Sequence, residues 1–242
     1  MGENTKIEWT DNTWNPWYGC HKISKGCKNC YMFRDMQRTA FNPNIVTKAK
    51  SLTFNKPLKW KEPVMVFTCS WSDFWIEEAD GWRMDAFKII EATPHLTYQI
   101  LTKRPERINS WLKVHNYKLP PNIWLGISAE NQKQFNERIQ ELYFGISDCF
   151  KFLSLEPLLE NIDLTVGLKY DLKINWIITG GESGAKNKIR KSELDWFRSI
   201  RDQCKEFGIS YFHKQHGGST KTNGIWGGRE LDGNIYSEIP TQ

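Results

Sequence analysis

Asn175-Trp176-Ile177-Ile178-Thr179-Gly180-Gly181-Glu182-Ser183-Gly184 is a short apolar run that stops at a glycine-rich turn. An apolar, β-branched run of this length, closed by glycines, reads as a buried strand over Asn175–Thr179. It is followed by Ser192–Phe207, where Leu194, Phe197, Ile200, Cys204 and Phe207 recur on one face of a helix. Ser192 with Asp195 resembles a capping box at its start. Ile209–Phe212 is again strand-like. Strand, helix and strand in succession make a unit whose two strands run parallel.

Working outward, Val64–Thr68, Tyr98–Leu101, Ile123–Ile127 and Lys151–Leu155 have the same strand character. Pro105 can open a helix carrying Ile108, Trp111 and Leu112, and Phe135, Ile139 and Leu142 mark another. An earlier strand is expected around Ile7–Trp14, leading into a cysteine loop at about residues 15–35. The expectation is an α/β fold: a single parallel (β/α) barrel domain, partial or complete, over residues 1–242. A doubly wound sheet is the other arrangement this alternation allows.

Composition agrees with an ordinary globular chain, since 39% hydrophobic and 25% charged residues is a usual balance. No apolar run approaches membrane-spanning length, so a cytoplasmic protein with no membrane partner is expected. A net charge of +5 permits a nucleic-acid or phosphate partner without demanding one. Trp9, Trp14, Trp17, Trp71, Trp75 and Trp226 lie in polar company. They could shield a cofactor, stack on bases or simply pack.

In parallel α/β folds, sites are built at the carboxyl ends of strands. The runs above end in Cys69–Asp73, then Thr102-Lys103-Arg104, then Ser128-Ala129-Glu130-Asn131. The later ones end in Glu156-Pro157, in Gly180-Gly181-Glu182 and in His213-Lys214-Gln215. Lys103 and Arg104 suit a phosphate or carboxylate, or a solvated surface pair. Glycines at 180 and 181 with Glu182 suit a nucleotide, or a plain tight turn. Glu156 has little local reason for its charge unless it faces a site. His213, Lys214 and Gln215 could supply acid, cation and donor, although a histidine there is more often structural.

Cys20, Cys27 and Cys30 are separated by six and by two intervening residues in Gly19-Cys20-His21-Lys22-Ile23-Ser24-Lys25-Gly26-Cys27-Lys28-Asn29-Cys30-Tyr31. Such a trio of thiols suits an iron–sulfur cluster, whose irons prefer soft sulfur ligands. Three ligands rather than four leave one iron of a four-iron cluster open. A zinc set with His21 is the alternative, although adjacent residues seldom share one tetrahedral ion. The remaining cysteines, Cys69, Cys149 and Cys204, fall in apolar segments and read as small buried hydrophobes.

Several stretches together resemble the phage Gp37/Gp68-like (three-Cys-motif) family, itself similar to a divergent branch of the radical S-adenosylmethionine enzymes. They are Ile7–Asp11 with Thr13-Trp14-Asn15-Pro16, Gly26–Tyr31, Leu101–Arg107, Leu155–Leu159, Gly180–Gly184, Arg201–Cys204 and Lys214-Gln215. The first cysteine gap is six here rather than the usual three. The Gly-Gly-Glu turn comes late, and His216 stands where an aromatic is common.

The resemblance implies a [4Fe–4S] cluster on Cys20, Cys27 and Cys30, with S-adenosylmethionine on the fourth iron yielding a 5′-deoxyadenosyl radical. It implies Asn29 and Tyr31 near the adenine. Lys103, Arg104, Ser128, Glu130 and Glu156, with Gly180, Gly181 and Glu182, become candidates for holding cofactor or substrate. It also implies nucleic acid or a nucleotide as substrate, an external electron donor, and a three-Cys-motif partner protein. No catalytic residue is assigned. Two other readings stand beside it: a zinc-stabilised nucleic-acid-binding module, and an iron–sulfur sensor or electron-transfer partner that does not cleave the cofactor.

Overall fold

The computed structural model describes residues 2–145, 149–168 and 173–240. Its main sheet has seven parallel strands: β1 (Asn12–Trp14), β2 (Met65–Thr68), β3 (Thr97–Thr102), β4 (Ile123–Ser128), β5 (Phe150–Leu155), β6 (Trp176–Gly180) and β7 (Ser210–Gln215). The strands lie side by side in chain order. A doubly wound sheet needs a reversal of strand order, and there is none. The arrangement is an α/β fold consistent with a partial (β/α) barrel. Register is set by pairs such as Thr13 with Phe67, Val66 with Tyr98, Leu153 with Ile177 and Ile178 with Phe212.

Each crossover carries helix where the pattern asked for it, with one long exception. After α1 (Tyr31–Met36) come α2 (Asp80–Glu91), α3 (Glu106–Val114), α4 (Gln132–Gly145) and α5 (Leu194–Phe207). Among the described residues between β5 and β6, the helix is a four-residue turn, Thr165–Leu168. Every residue of β4 and β6 is buried, which explains why they read as continuous apolar runs rather than alternating ones.

The chain forms two compact units. One comprises Met1–Ile23, Cys30–Gly126 and Gly145–Cys149; the other comprises Ser24–Asn29, Ile127–Phe144 and Phe150–Gln242. The first has an aromatic core in which Trp17, Phe74, Trp75, Phe87 and Trp111 pack ring against ring. Arg83 of α2 is fully buried there, its guanidinium 5.1 Å from the Trp75 ring and 5.3 Å from the Trp111 ring. It donates to the carbonyls of Phe74 and Ile76 and pairs with Asp80, so no donor is stranded. In the second unit Phe135 and Ile139 of α4, and Phe197, Ile200 and Cys204 of α5, are buried along with the strand residues Leu153, Ile177 and Phe212.

Several expectations change. The first strand is only Asn12–Trp14; just before it Asp11 meets Met65 twice, its amide donating to the Met65 carbonyl at 3.2 Å and its carboxylate accepting the Met65 amide at 2.8 Å. Ser192 does not cap α5; its hydroxyl donates to the Leu158 carbonyl at 2.5 Å, and Glu193 holds the cap position. Leu194 and Phe207 at the ends of that helix are exposed, so its buried face is narrower than the sequence suggested. Cys149 is half-buried, unlike Cys69 and Cys204. Trp9, Trp14, Trp17 and Trp75 are core residues, which resolves most of the tryptophans as packing. Among the described residues no helix is long and apolar enough to cross a membrane.

Two glycine substitutions test this packing. A Cβ on Gly81 in α2 meets nothing within 4 Å, whereas one on Gly181 runs into the backbone carbonyl of His216. Gly81→Ala should therefore raise stability by up to about 1 kcal/mol. Gly181→Ala should lower it by about 1–3 kcal/mol. Denaturant midpoints of the two variants against wild type measure both.

Candidate functional site: supports for the cysteine segment

Cys20 belongs to the first unit. Gly19 before it has φ of +89°, and a side chain there would strike the Ile45 carbonyl, so only glycine fits. The Gly19 amide donates to Trp71 O at 3.0 Å and the Cys20 amide to Pro43 O at 3.0 Å. Arg104 reaches the sulfur: its Nη1 lies 3.7 Å from Cys20 Sγ and 3.0 Å from Asp73 Oδ2, while Nη2 donates to His21 O at 2.9 Å.

Asp73 organises that corner. Its two oxygens also accept the Thr102 hydroxyl at 2.7 Å, the Trp75 amide at 2.9 Å and the Lys103 amide at 3.0 Å. Asp73 and Arg104 are 5% and 7% exposed, so each depends on the other for its charge. Burial works against the guanidinium, yet Asp73 and Cys20 outweigh it and hold the Arg104 pKa above its ordinary value. A permanent cation thus stands beside one of the three loop sulfurs.

Cys30 occupies the position before α1 and makes no side-chain capping bond. Tyr31 follows with its ring partly exposed and its hydroxyl donating to Ser70 O at 2.7 Å. His21 pairs with Glu78 through Nε2. Lys103 contributes its backbone amide to Asp73.

Cys27 lies in the second unit, in a 3-10 turn over Lys25–Cys27, with the Ser24 hydroxyl 3.8 Å from its sulfur. Three contacts pin this short segment. Glu130, fully buried after β4, accepts the Gly26 amide at 2.9 Å and pairs with Arg138 of α4 at 3.0 Å. Arg190 donates to Lys25 O at 2.7 Å. Asn29 donates to Glu182 Oε2 at 2.9 Å and to Lys188 O at 2.7 Å.

Glu182, at the end of β6, is itself clamped by the Arg190 side chain and amide. Burial tends to raise its pKa, but the Arg190 and Asn29 hydrogen bonds prevail and hold it below the ordinary carboxylate value. Asn29, Glu130 and Glu182, expected near a cofactor, are thus committed to protein partners around Cys27. Arg138 and Arg190 were not singled out in the sequence. Each follows its carboxylate by eight residues, a spacing that carries no signal outside a known fold.

The other second-unit candidates form a separate group. Glu156 pairs with Lys214 at 2.8 Å, and both side chains are partly exposed. The Ser128 hydroxyl donates to Glu156 O at 3.3 Å. A Cβ on Gly180 would come within 2.9 Å of the Glu156 carboxylate, so Gly180 is small to admit Glu156, and Gly181 to admit the chain at His216. His213 is fully buried between Thr179 Oγ1 at 3.0 Å and His216 Nδ1 at 2.9 Å. It is a core histidine.

Among the described residues no three His, Cys, Asp or Glu groups are gathered into a ready metal site. The donor chemistry nonetheless fits a thiophilic group. Cys20, Cys27 and Cys30 are half-buried and in no disulfide, whereas Cys69 and Cys204 are buried thiols whose pKa values burial drives up.

Two outcomes follow. Glu130→Gln and Arg190→Ala each remove a support of the turn, so tryptic cleavage at Lys25 and Lys28 should rise at least about tenfold over wild type. Rates of peptide release by mass spectrometry check this. Burial, helped by His216 and Arg229, pulls the His213 pKa from 6.5 to about 3. The unfolded chain therefore takes up a proton before the folded one, and stability is lost as pH falls from about 6.5 towards about 3. His213→Gln should flatten that slope in denaturant titrations.

No curated protein and no solved structure matches the chain. Residues 4–240 match the model of a family described as a protein of unknown function (DUF5131), and the chain belongs to that family.

Proposed function

We propose that this chain is a radical S-adenosylmethionine enzyme, related to the phage Gp37/Gp68-like (three-Cys-motif) proteins, that acts on nucleic acid or a nucleotide. The observation that carries this reading is the treatment of the three loop thiols. All are half-buried and in no disulfide, and the segments bearing Cys20 and Cys27 each have a dedicated charged support. Cys20, Cys27 and Cys30 would hold a [4Fe–4S] cluster. With S-adenosylmethionine bound, such a cluster supplies one-electron reductive cleavage of the sulfonium to a 5′-deoxyadenosyl radical.

The chain's own share is positioning. Asp73 orients Arg104, and Arg104 places a donor and a positive charge at the Cys20 sulfur. Glu130, Glu182 and Arg190 hold the backbone around Cys27, so that the sulfur need not be ordered when its ligand arrives. Glu156 and Lys214 offer a carboxylate and an ammonium at partly exposed positions, complementary to the amino and carboxylate groups of an amino-acid moiety. An external electron donor and a three-Cys-motif partner protein belong to the same proposal.

Anaerobic reconstitution with iron and sulfide tests it. The expected protein is brown, carries about four irons per chain, changes its electron paramagnetic resonance on adding S-adenosylmethionine, and forms 5′-deoxyadenosine with dithionite. Cys20→Ala, Cys27→Ala and Cys30→Ala should each lose the cluster, whereas Cys69→Ala and Cys204→Ala should keep it. Stoichiometric zinc without iron would replace this reading with the zinc-stabilised nucleic-acid-binding module. A cluster that leaves the cofactor intact would replace it with the sensor or electron-transfer role.

A further inference from the structure

Two stretches of the second unit that are far apart in sequence lie side by side, and both are basic. Asn29 donates to Lys188 O at 2.7 Å and Arg190 to Lys25 O at 2.7 Å. These bonds join residues 159 and 165 positions apart, and they lay the turn over residues 24–29 against the loop over residues 184–191. The Lys188 amide closes that loop on Ala185 O at 2.9 Å, and the Gly184 amide anchors its start on Gly218 O at 3.2 Å. The turn is also held by Glu130, which follows β4, and by Glu182, which follows β6. Both stretches therefore sit at the carboxyl ends of the strands.

Together they hold Lys25, Lys28, Lys186, Lys188, Arg190 and Lys191, and no acid. The carboxylates that fasten them are already met, Glu182 by Arg190 and Asn29, and Glu130 by Arg138 and the Gly26 amide. All five lysines are exposed. Among the described residues Lys25, Lys186, Lys188 and Lys191 pair with no carboxylate. Lys25 and Lys28 stand three apart across a 3-10 turn, a spacing that sets them on one side of it. Glu193 and Asp195 come next along the chain, at the start of α5, where Asp195 is taken up by Arg198. Like charges gathered in this way repel, and the backbone bonds keep them from spreading. An anion with several charges relieves that repulsion.

We propose that the Cys27 turn and the loop over 184–191 form one docking surface for the phosphate backbone of a polynucleotide, with Lys25, Lys186, Lys188 and Lys191 taking phosphates. This rests on the reading above that nucleic acid is the substrate, and it narrows that substrate from a nucleotide to a polymer. Lysines with no aromatic among them position a backbone without selecting its sequence. They also bring the bound strand beside Cys27. An anionic membrane is the competing partner. Segments that seek a membrane surface bury apolar side chains among their lysines, and no large apolar side chain of these two stretches is exposed.

Two measurements on the full chain without metal test this, so neither depends on the cluster. The first is fluorescence anisotropy with a labelled strand of about 15 nucleotides, single and as a duplex. Wild type should bind, with affinity falling steeply between about 50 and about 200 mM salt. Lys186→Ala, Lys188→Ala and Lys191→Ala combined should weaken binding at least about tenfold and make the logarithmic salt slope shallower by about two. The control combines Lys113→Ala, Lys118→Ala and Lys205→Ala. It makes the same charge change in the last turns of α3 and α5 and in the loop before β4. Crossover helices run back against the strands, so these positions lie at the strands' amino ends, and the control should bind as wild type does. The second measurement is lysine acetylation read by mass spectrometry. Bound strand should suppress acetylation of Lys25 together with Lys186, Lys188 and Lys191, and leave Lys113 and Lys205 as reactive as before.

No binding by wild type, equal losses in the two triple variants, or protection of the loop lysines without Lys25 would each overturn the proposal. So would tighter binding to phosphatidylserine vesicles or to polyglutamate than to the strand. Iron uptake by a chain that binds no strand would refute this surface and leave the radical reading standing.

Discussion

A carboxylate wholly removed from water is costly unless its charge is met by several donors. Glu130 meets that condition through Arg138 of α4 and the Gly26 amide. The need to satisfy one buried charge thus ties a strand end, a helix and the turn bearing Cys27 together. It also dictates the residue at position 26, because a Cβ there would lie 2.9 Å from the carboxylate carbon. Asp73 plays the same part in the first unit. It collects Arg104, the Thr102 hydroxyl and two backbone amides, and through Arg104 it governs what stands beside Cys20. Both acids follow strand ends, where a parallel sheet leaves backbone groups in need of partners.

These supports change how the polar strand ends are understood. A glutamate after a glycine pair invites a nucleotide, but Glu182 already spends its oxygens on Arg190 and Asn29. Ionised side chains at a site need not touch a ligand to matter for it. Holding a ligating residue in place costs conformational entropy in advance and spares it at binding. The partly exposed Glu156–Lys214 pair is of another kind, since both partners keep some access to solvent.

The abundance of tryptophan has a structural cause. Trp14 and Trp17 are buried, and their indole nitrogens donate to the carbonyls of Phe54 and Asp73. They fix long connections onto the first unit as well as filling its core. The smaller rings of Tyr31 and Phe41 stay exposed.

The strands were legible because fully buried parallel strands are continuous apolar runs, and Ile123–Ile127 and Asn175–Thr179 announce themselves whatever surrounds them. Helices α4 and α5 were legible from the spacing of Phe135, Ile139 and Leu142, and of Phe197, Ile200 and Cys204. The cysteine spacing is likewise a property of the chain alone. Tertiary structure decided the rest. It chose sequential strand order over a doubly wound sheet, because periodicity reports which face of an element is buried and not which element lies beside it. It took Ser192 from the cap of α5 and gave its hydroxyl to Leu158, thirty-four residues away. It also made Glu130 and Glu182 supports for Cys27, since their partners are one hundred and four and one hundred and fifty-three residues distant in sequence. Local propensity and motif spacing act over a few residues, whereas a buried charge takes whatever donors the completed fold brings to it.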